Sequence, residues 1–376
     1  MKRCTLVPRS DWREKCESVG FNYHSMGGTY WDESGCYEFS AQEIDTLEAV
    51  TNELCEMSLA ALEKVIQDGR FHEFAIPEEF TSYVTESWNH REPSLYGRFD
   101  LRWNGAQSPK LLEYNADTPT SLLEASVVQW QWLQDVYPKC DQFNSIHEKL
   151  IERWISMHSR LSGDSLHFTC AQDSEEDLGN LEYLRDTAIQ AKYNAQQLFI
   201  EDIGWSEQER CFVDSNNERI SAFFKLYPWE WLVREDFGKN LLAKSAKIIE
   251  PAWKMLLSNK ALLVVLWEMF PNHPNLLPCY FSPDLLRGKH VEKPLLSREG
   301  ENITIRDGKL TLDSQKGSYG KEGYVYQAFA PLPQFDGNYP VIGSWIIGDE
   351  AAGIGIREDT TLITKNSSRF IPHYFV

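Results

Sequence analysis

The sequence lacks a long uncharged apolar stretch. No run reaches the roughly 18 apolar residues that a membrane span requires. The first residues, Met1-Lys2-Arg3, lead into Pro8-Arg9 instead of the apolar core of a signal peptide. We therefore expect a cytoplasmic protein that is neither secreted nor anchored in a membrane.

Cysteine pairs and an excess of basic charge are also missing. The eight cysteines form no C-x-x-C pair, so a zinc site has little support. A chain of 376 residues builds a core without disulfides, and we predict reduced thiols. The net charge of −19 argues against a nucleic-acid partner, because phosphate binding requires basic patches. The charge is compatible with a cationic substrate such as a polyamine, although solubility alone also explains it.

Two common nucleotide-binding loops are absent. Neither G-x-x-x-x-G-K-[ST] nor a G-x-G-x-x-G after a strand occurs, which argues against P-loop and Rossmann sites. The chain also has no internal repeat, low-complexity tract or Pro/Ser-rich linker. Because no break in composition divides it, we predict a single module over residues 1–376, built of tightly packed subdomains.

Hydrophobic periodicity predicts a mixture of helices and strands. Apolar residues recur at helical spacing from Ser40 to Asp68, and Ser40 with Glu43 offers a capping box at the start. Further helices are predicted over 121–136, 145–162, 181–196 and 250–270. Strands are predicted over 166–171, 197–203, 323–329 and 341–348. The alternation in the middle of the chain suggests a βαβ-like subdomain.

A predicted hairpin over 95–117 carries the most informative pattern. Residues two apart share a face of a strand, so Arg98 and Asp100 point together, as do Glu113 and Asn115. Symmetric pairing about the intervening turn places Asp100 opposite Glu113 and Arg98 opposite Asn115. Facing carboxylates repel, and a Mg²⁺ ion with hard oxygen ligands would remove that repulsion. A surface hairpin with a plain ion pair is the alternative at this point.

Later segments carry groups that suit phosphate and nucleotide. Lys260 and Lys293 each lie in or near an apolar run, and a Lys ammonium is a compact charge for phosphate oxygens. The loop 297–302 could form an anion-binding nest. The run 325–329 could offer its backbone to an adenine edge, and Arg357 follows a Gly-rich stretch. Each feature alone is more often structural, as a snorkelling Lys, a plain turn, a core strand or a surface ion pair.

Taken together, these segments resemble the glutathionylspermidine synthase family, specifically its ATP-grasp synthetase domain, from about residue 11 to the end. The segments that carry the resemblance are 98–100, 111–121, 227–230, 250–253, 258–262, 266–271, 292–294, 297–300, 353–359 and 366–373. The resemblance implies an α+β ATP-grasp fold of the glutathionylspermidine synthetase type. It also implies Mg-ATP-dependent activation of a carboxylate to an acyl phosphate, which an amine then converts to an amide.

The resemblance also implies roles for individual residues. Arg98 would stabilise the transition state, and Mg²⁺ would be held by Asp100, Glu113 and Asn115. The implied ATP contacts are Arg98, Asp100, Lys260, Lys293, Gly300, Gln327, Phe329, Ala330, Leu362, Ile363 and Thr364. The implied acid-substrate contacts are Thr118, Thr120 and Arg357. We expect a small-molecule acid and amine as partners, with Glu182 or Glu230 as candidate contacts to the amine.

The chain departs from the family pattern in two respects. It has no room for the N-terminal Cys/His amidase domain of bifunctional members, so we expect no amidase activity. The loop after Asn115 reads Asp117-Thr118-Pro119-Thr120-Ser121, which leaves the identity of the acid open.

Two other classes of function stay open at the level of sequence. A non-catalytic nucleotide-binding protein could retain the fold, and ATP would then stabilise it without turnover. A glycoside hydrolase could use a carboxylate pair, and it would release sugar from a glycan without ATP.

Overall fold

The computed structural model describes residues 1–161 and 165–376. The strands in that part of the chain are β1 (Lys2–Thr5), β2 (Gly35–Phe39), β3 (Tyr96–Arg102), β4 (Lys110–Asn115), β5 (Leu166–Cys170), β6 (Ala195–Phe199), β7 (Gly204–Ser206), β8 (Cys211–Val213), β9 (Ala222–Leu226), β10 (Lys247–Ile249), β11 (Cys279–Tyr280), β12 (His290–Pro294), β13 (Thr304–Asp307), β14 (Leu310–Ser314), β15 (Tyr324–Ala328), β16 (Tyr339–Ile347), β17 (Glu350–Asp359), β18 (Arg369–Ile371) and β19 (His373–Phe375). The α-helices are α1 (Trp12–Ser18), α2 (Ala41–Asp68), α3 (Thr81–Asn89), α4 (Gln129–Val136), α5 (Ile146–Met157), α6 (Glu175–Gln190), α7 (Trp229–Leu232), α8 (Lys254–Leu257) and α9 (Ala261–Met269). A π-helical turn, Glu124–Val128, leads into α4.

A five-stranded antiparallel sheet in the order β18-β17-β16-β3-β4 forms the centre of the molecule. Along β16, Ile346 packs into one apolar core, whereas its neighbours Trp345 and Ile347 pack into the other. Because successive side chains of a strand point to opposite faces, this sheet has a core on each side. The predicted hairpin is its β3–β4 edge.

Two further sheets flank the centre. The sheet β11-β15-β12-β13-β14 is antiparallel, whereas the sheet β10-β9-β5-β6 is parallel. The helix α6 connects the parallel neighbours β5 and β6, which is the predicted βαβ-like unit. A smaller sheet, β1-β2-β19, joins the start of the chain to its last strand.

Helix α2 begins and ends where the sequence predicts. Ser40 accepts a hydrogen bond from the Glu43 N–H while the Glu43 side chain accepts from the Ser40 N–H, so two orphan donors of the first turn are satisfied. Gly69 follows in the left-handed conformation at φ +67°, which closes the helix. The buried face of α2, which includes Leu47 and Leu54, packs against β16, β17 and α9.

The predicted helix over 181–196 was wrong at both ends. The helix α6 begins six residues earlier because Ser174 accepts from the Asp177 N–H, and its acidic first turn favours a helix N-terminus. It ends at Gln190, before Lys192 at φ +72°. Strand β6 then starts two residues before the predicted 197–203 and ends at Phe199, because it follows the pairing with β5.

The predicted helix over 250–270 is interrupted. The side-chain oxygen of Asn259 accepts from the N–H of Ala261. This local turn separates the short α8 from a new helix, α9, whose N-cap residue is Lys260. The helix predicted from Ser121 begins after Ser121, which has φ +68°. The predicted helix 145–162 is α5, which ends at Met157, and Ser162 lies outside the described residues.

Two findings concern the thiols and the membrane. All eight cysteines lie in the described part of the chain as free thiols. Within residues 1–161 and 165–376, no helix has the length and apolarity to cross a bilayer.

Candidate active site

The β3–β4 hairpin has the predicted register. Arg98 lies opposite Asn115, and Asp100 lies opposite Glu113. A β-bulge follows Asp100, and bulges often lie beside functional sites because they redirect side chains. All four polar side chains therefore converge on one face at the edge of the central sheet.

Asp100, Glu113 and Asn115 form an oxygen-rich set suited to a hard cation. Asn115 Nδ2 lies 3.2 Å from Asp100 Oδ2 and 3.4 Å from Glu113 Oε1. Among the described residues, no group of three or more His, Cys, Asp or Glu could hold a metal. Two carboxylates nevertheless fit Mg²⁺, which is commonly bound by one or two carboxylates together with substrate phosphates and water. Asn115 would ligate through its oxygen, which requires its amide to rotate.

The two predicted lysines reach this carboxylate pair from other elements. Lys260 precedes α9, and its Nζ lies 3.3 Å from Glu113 Oε2 and donates to the Ser297 carbonyl at 2.8 Å. Lys293 on β12 donates to the Leu112 carbonyl at 2.7 Å. Both lysines are about 5% exposed, so their charges act in a partly desolvated site.

Burial and neighbouring charges shift the titration of these groups. Burial alone would raise the pKa of Glu113, but Lys260 and Lys293 outweigh it and hold that pKa at about 2. Burial lowers the pKa of Lys293 to about 8 against the opposing effect of Glu113. Burial raises the pKa of Asp100, Arg98 opposes that rise, and Glu113 adds to it. The site therefore keeps Glu113 ionised.

Arg98 is held rigidly beside the carboxylates. Its Nε donates to Asp100 Oδ1 at 2.8 Å, and its Nη1 donates to the Thr120 carbonyl at 2.6 Å. The guanidinium lies 5.6 Å from the centre of the Trp345 ring. A Cβ at Gly343 would lie 2.7 Å from Arg98 Cδ, so glycine at that position gives the side chain its path across β16.

A buried ion pair closes the open end of the hairpin, and sequence reasoning missed its role. Glu250 accepts hydrogen bonds from the N–H groups of Leu95 and Tyr96 at 3.0 and 3.1 Å. Lys254 lies 3.3 Å from Glu250 and donates to the carbonyls of Tyr96 and Ala116. The pair ties β3 to β4 just beyond their polar side chains. Only its i,i+4 spacing in the sequence hinted at it.

The cleft has two compartments that share Asp100 and Glu113. We call them the polar compartment and the apolar compartment. The apolar compartment lies between β12, β15 and the segment 362–364, and it encloses about 730 Å³, counting the solvent at its mouth. Its lining includes the predicted nucleotide residues Lys293, Gly300, Gln327, Phe329, Ala330, Leu362, Ile363 and Thr364.

Two of those residues act through their neighbours. Gln327 is 2% exposed, accepts from Lys293 Nζ at 2.8 Å and donates to the Leu111 carbonyl at 3.1 Å, so its amide orients the Lys293 ammonium. Gly300 has φ +71°, and a Cβ there would lie 2.4 Å from the Thr364 carbonyl oxygen. Glycine therefore lets the loop 297–302 pack against the segment 362–364.

The polar compartment holds the predicted acid-substrate residues. Thr118, Thr120 and Arg357 all line it. Arg357 donates to the carbonyls of Lys365 and Asn366 at 2.8 and 2.9 Å. These bonds hold its guanidinium at the wall of the compartment.

Sequence reasoning missed Arg298 and misjudged one of its two acidic candidates. Arg298 lines the polar compartment and donates to Thr118 Oγ1 at 2.6 Å; its signal was its place in the Gly-containing loop. Glu230 lines the same compartment. Glu182 lies in a separate groove and pairs with Arg185, so the structure does not bring it to the cleft.

Known proteins resemble this chain in sequence and in fold. The family model for glutathionylspermidine synthase, preATP-grasp, matches residues 3–376. A Haemophilus influenzae protein named "Putative acid--amine ligase" is 46% identical over 393 residues, which cover 100% of both chains. Trypanothione synthetase of Crithidia fasciculata is 29% identical over 353 residues, which cover 86% of this chain and 54% of that protein.

A solved structure shows the same fold at low identity. The glutathione synthetase-like effector of Globodera pallida, in its apo form, superposes with a TM-score of 0.57 at 9% identity, and the match covers 99% of this chain and 98% of that one. The molecule has an ATP-grasp fold of the glutathionylspermidine synthetase type. The chain belongs to the glutathionylspermidine synthase family.

Proposed function

We propose that this protein is a Mg-ATP-dependent acid–amine ligase that forms an amide through an acyl phosphate. The observation that carries the proposal is the meeting of the two compartments at Asp100 and Glu113, with Arg98, Lys260 and Lys293 beside them. A nucleotide in the apolar compartment would direct its phosphates to this junction, and an acid in the polar compartment would meet them there. We also propose that residues 1–376 form one ATP-grasp module.

Each side chain at the junction has a task that its position supports. Lys260 and Lys293 carry positive charge toward phosphate oxygens. Arg98, held by Asp100 and the Thr120 carbonyl, is preorganised to stabilise charge on the transferred phosphoryl group. When bound, Mg²⁺ would neutralise phosphate charge, with Asp100, Glu113 and Asn115 as its protein ligands.

The polar compartment supplies contacts for both organic substrates. Arg357 and Arg298 can bind carboxylates of the acid, with Thr118 and Thr120 as hydroxyl contacts. Glu230 lines the same compartment and has the opposite charge, so it can bind a cationic amine. The names of the two relatives, an acid–amine ligase and a trypanothione synthetase, support an acid–amine pair of this kind.

The purified protein tests this proposal directly. ADP and phosphate release would be measured with Mg-ATP against a panel of acid–amine pairs that includes glutathione and polyamines, and the product would be identified by mass. We expect release that requires both substrates and stops with EDTA. Thermal stabilisation by ATP with no release for any pair would favour a non-catalytic nucleotide-binding protein instead.

A further inference from the structure

A buried carboxyl group, Glu124, lies behind the polar compartment. It is fully buried in the π-helical turn, and no basic side chain among the described residues forms a hydrogen bond or an ion pair with it. Its Oε1 accepts from the Tyr30 hydroxyl at 2.7 Å, and its Oε2 has no hydrogen-bond partner among the described residues. An isolated carboxylate is costly to bury, so a structural role alone is a weak account of it.

A row of hydroxyl groups connects Glu124 to the compartment. The Tyr30 hydroxyl lies 3.0 Å from Ser121 Oγ, and Ser121 lines the polar compartment. Arg357 Nη1 donates to Ser121 Oγ at 3.3 Å. Ser121 is held at φ +68°, an uncommon conformation for a residue other than glycine and one that clusters at functional sites.

The hydrogen bonds of this row have a single direction. Tyr30 uses its proton toward Glu124, so its oxygen accepts the proton of Ser121. The oxygen of Ser121 is then left to accept, both from Arg357 and from a donor in the compartment. When Ser121 takes up a proton, a proton can therefore reach the Glu124 carboxylate without any rearrangement of the heavy atoms.

We propose that Ser121, Tyr30 and Glu124 form a relay that removes the proton of the incoming ammonium group. This inference rests on the proposed ligase function. The ammonium gives one proton to Ser121 Oγ as Ser121 passes its own proton to Tyr30 and Tyr30 passes its proton to the Glu124 carboxylate. The free amine forms the C–N bond as the C–O bond to phosphate breaks, and the second amine proton leaves with the phosphate. Glu124 returns its proton to solvent after product release.

The charged and titratable groups that face Glu124 suit this role. They are Glu176, Arg357, Tyr30, Tyr23 and Cys16. Burial raises the pKa of Glu124 to about 7, Glu176 adds to the rise, and Tyr30 and Arg357 oppose it. A general base is most effective with a pKa near the working pH.

The experiment compares two nucleophiles on the protein of residues 1–376 with Mg-ATP, using the acid and amine of the panel pair, such as glutathione and a polyamine, that releases phosphate fastest. The first is the amine substrate, which binds as an ammonium ion, and the second is hydroxylamine, which is largely unprotonated at neutral pH and traps an acyl phosphate as a hydroxamate. Tyr30→Phe and Glu124→Gln each break the row and keep most of the side-chain volume. Tyr23→Phe removes a neighbouring buried hydroxyl that bonds Asn180 and lies outside the row.

Both broken-row variants should lose at least roughly 10²-fold in kcat for amide formation, yet form hydroxamate almost as fast as the wild type. The wild-type rate with the amine should fall as pH drops through about 7. The rate of Glu124→Gln should not show that fall. Tyr23→Phe should behave as the wild type does.

Three other results have distinct meanings. Equal losses with both nucleophiles in a folded Tyr30→Phe protein would overturn the relay, because the defect would then precede the amine. No loss with either nucleophile would overturn it as well. If the wild type forms no ATP-dependent hydroxamate from any acid, the ligase proposal itself fails.

Discussion

The two compartments of the cleft share a wall but differ in the chemistry of their linings. The apolar compartment is lined mostly by aliphatic side chains and carries one basic residue, Lys293, among the described residues. The polar compartment is lined by three arginines and several carboxylates and hydroxyls. Apolar walls provide affinity in proportion to buried area, whereas fixed charges in a partly dry site act most strongly on developing charge. We therefore expect the apolar compartment to supply most of the affinity for the nucleotide and the polar compartment to stabilise the reacting groups.

The largest effect is expected from Arg98→Ala at the junction. Because the guanidinium is placed to stabilise charge in the transition state, kcat should fall by about 10²–10³, while the Kd for ATP should change little. Steady-state kinetics with calorimetric binding of ATP separates the two quantities.

Arg102→Ala serves as the control for Arg98→Ala, since Arg102 is on the same strand but donates to the Pro331 carbonyl away from the carboxylates. Full activity in Arg98→Ala would contradict the assignment of transition-state stabilisation to the polar compartment.

The second effect concerns the one basic side chain of the apolar compartment. Lys293→Met should weaken ATP binding by about 10–100-fold, because a hydrogen bond to a charged group contributes about 1.5–3 kcal/mol. The matched control is Lys289→Met, whose ammonium is half-exposed and lies 3.8 Å from Asp307. An unchanged Kd in calorimetric titration of Lys293→Met would show that the phosphates bind elsewhere.

A third prediction contrasts the cleft with the core. Glu113 stays ionised to a pH of about 2, whereas burial lowers the pKa of His373 from 6.5 to about 3. The unfolded chain binds a proton at His373 below pH 6.5 and the native protein does not, so stability falls as the pH drops from 6.5 toward 3. At pH 5 the loss should be roughly 2 kcal/mol.

His373→Asn tests that contrast by denaturant unfolding at pH 7.5 and pH 5. An Asn amide can replace the bond between His373 Nδ1 and Gln129 Oε1, which measures 2.9 Å. The variant should lose less free energy of unfolding between the two pH values than the wild type does. His72→Asn, at an exposed position, should keep the wild-type difference, and an equal drop in all three proteins would place the acid lability elsewhere.

The smallest effect should come from the wall that closes the apolar compartment. Leu362→Ala removes part of an apolar contact to the nucleotide, which corresponds to about 1 kcal/mol or roughly fivefold in KM for ATP. Thr120→Val is its counterpart in the polar compartment and should raise KM for the acid instead. If both variants change the same KM, the compartments do not divide the substrates as we propose.

Local sequence patterns predicted the helix ends and the strand register that depend on interactions between residues close together in the chain. The capping box at Ser40 and the glycine at position 69 bound α2 because both act within one helical turn. The register of Arg98, Asp100, Glu113 and Asn115 followed from the two-residue period of paired strands. The error at 181–196 arose where a polar cap and a sheet pairing overrode apolar spacing, and the error at 250–270 arose where the Asn259 side chain formed a turn between two helices.

Residues that meet only through long-range packing needed the structure. Lys260, Lys293 and Gly300 lie far along the chain from Asp100, and their convergence depends on how β12 and the loop 297–302 pack against the hairpin. No local signal connected Tyr30 to Glu124 or Glu250 to the ends of β3 and β4. By itself the sequence determined which side chains share a face within a helix or strand, because covalent geometry sets the spacing at which side chains return to the same face. Only the tertiary structure decided which faces meet, because burial and charge pairing act between segments that the chain keeps apart.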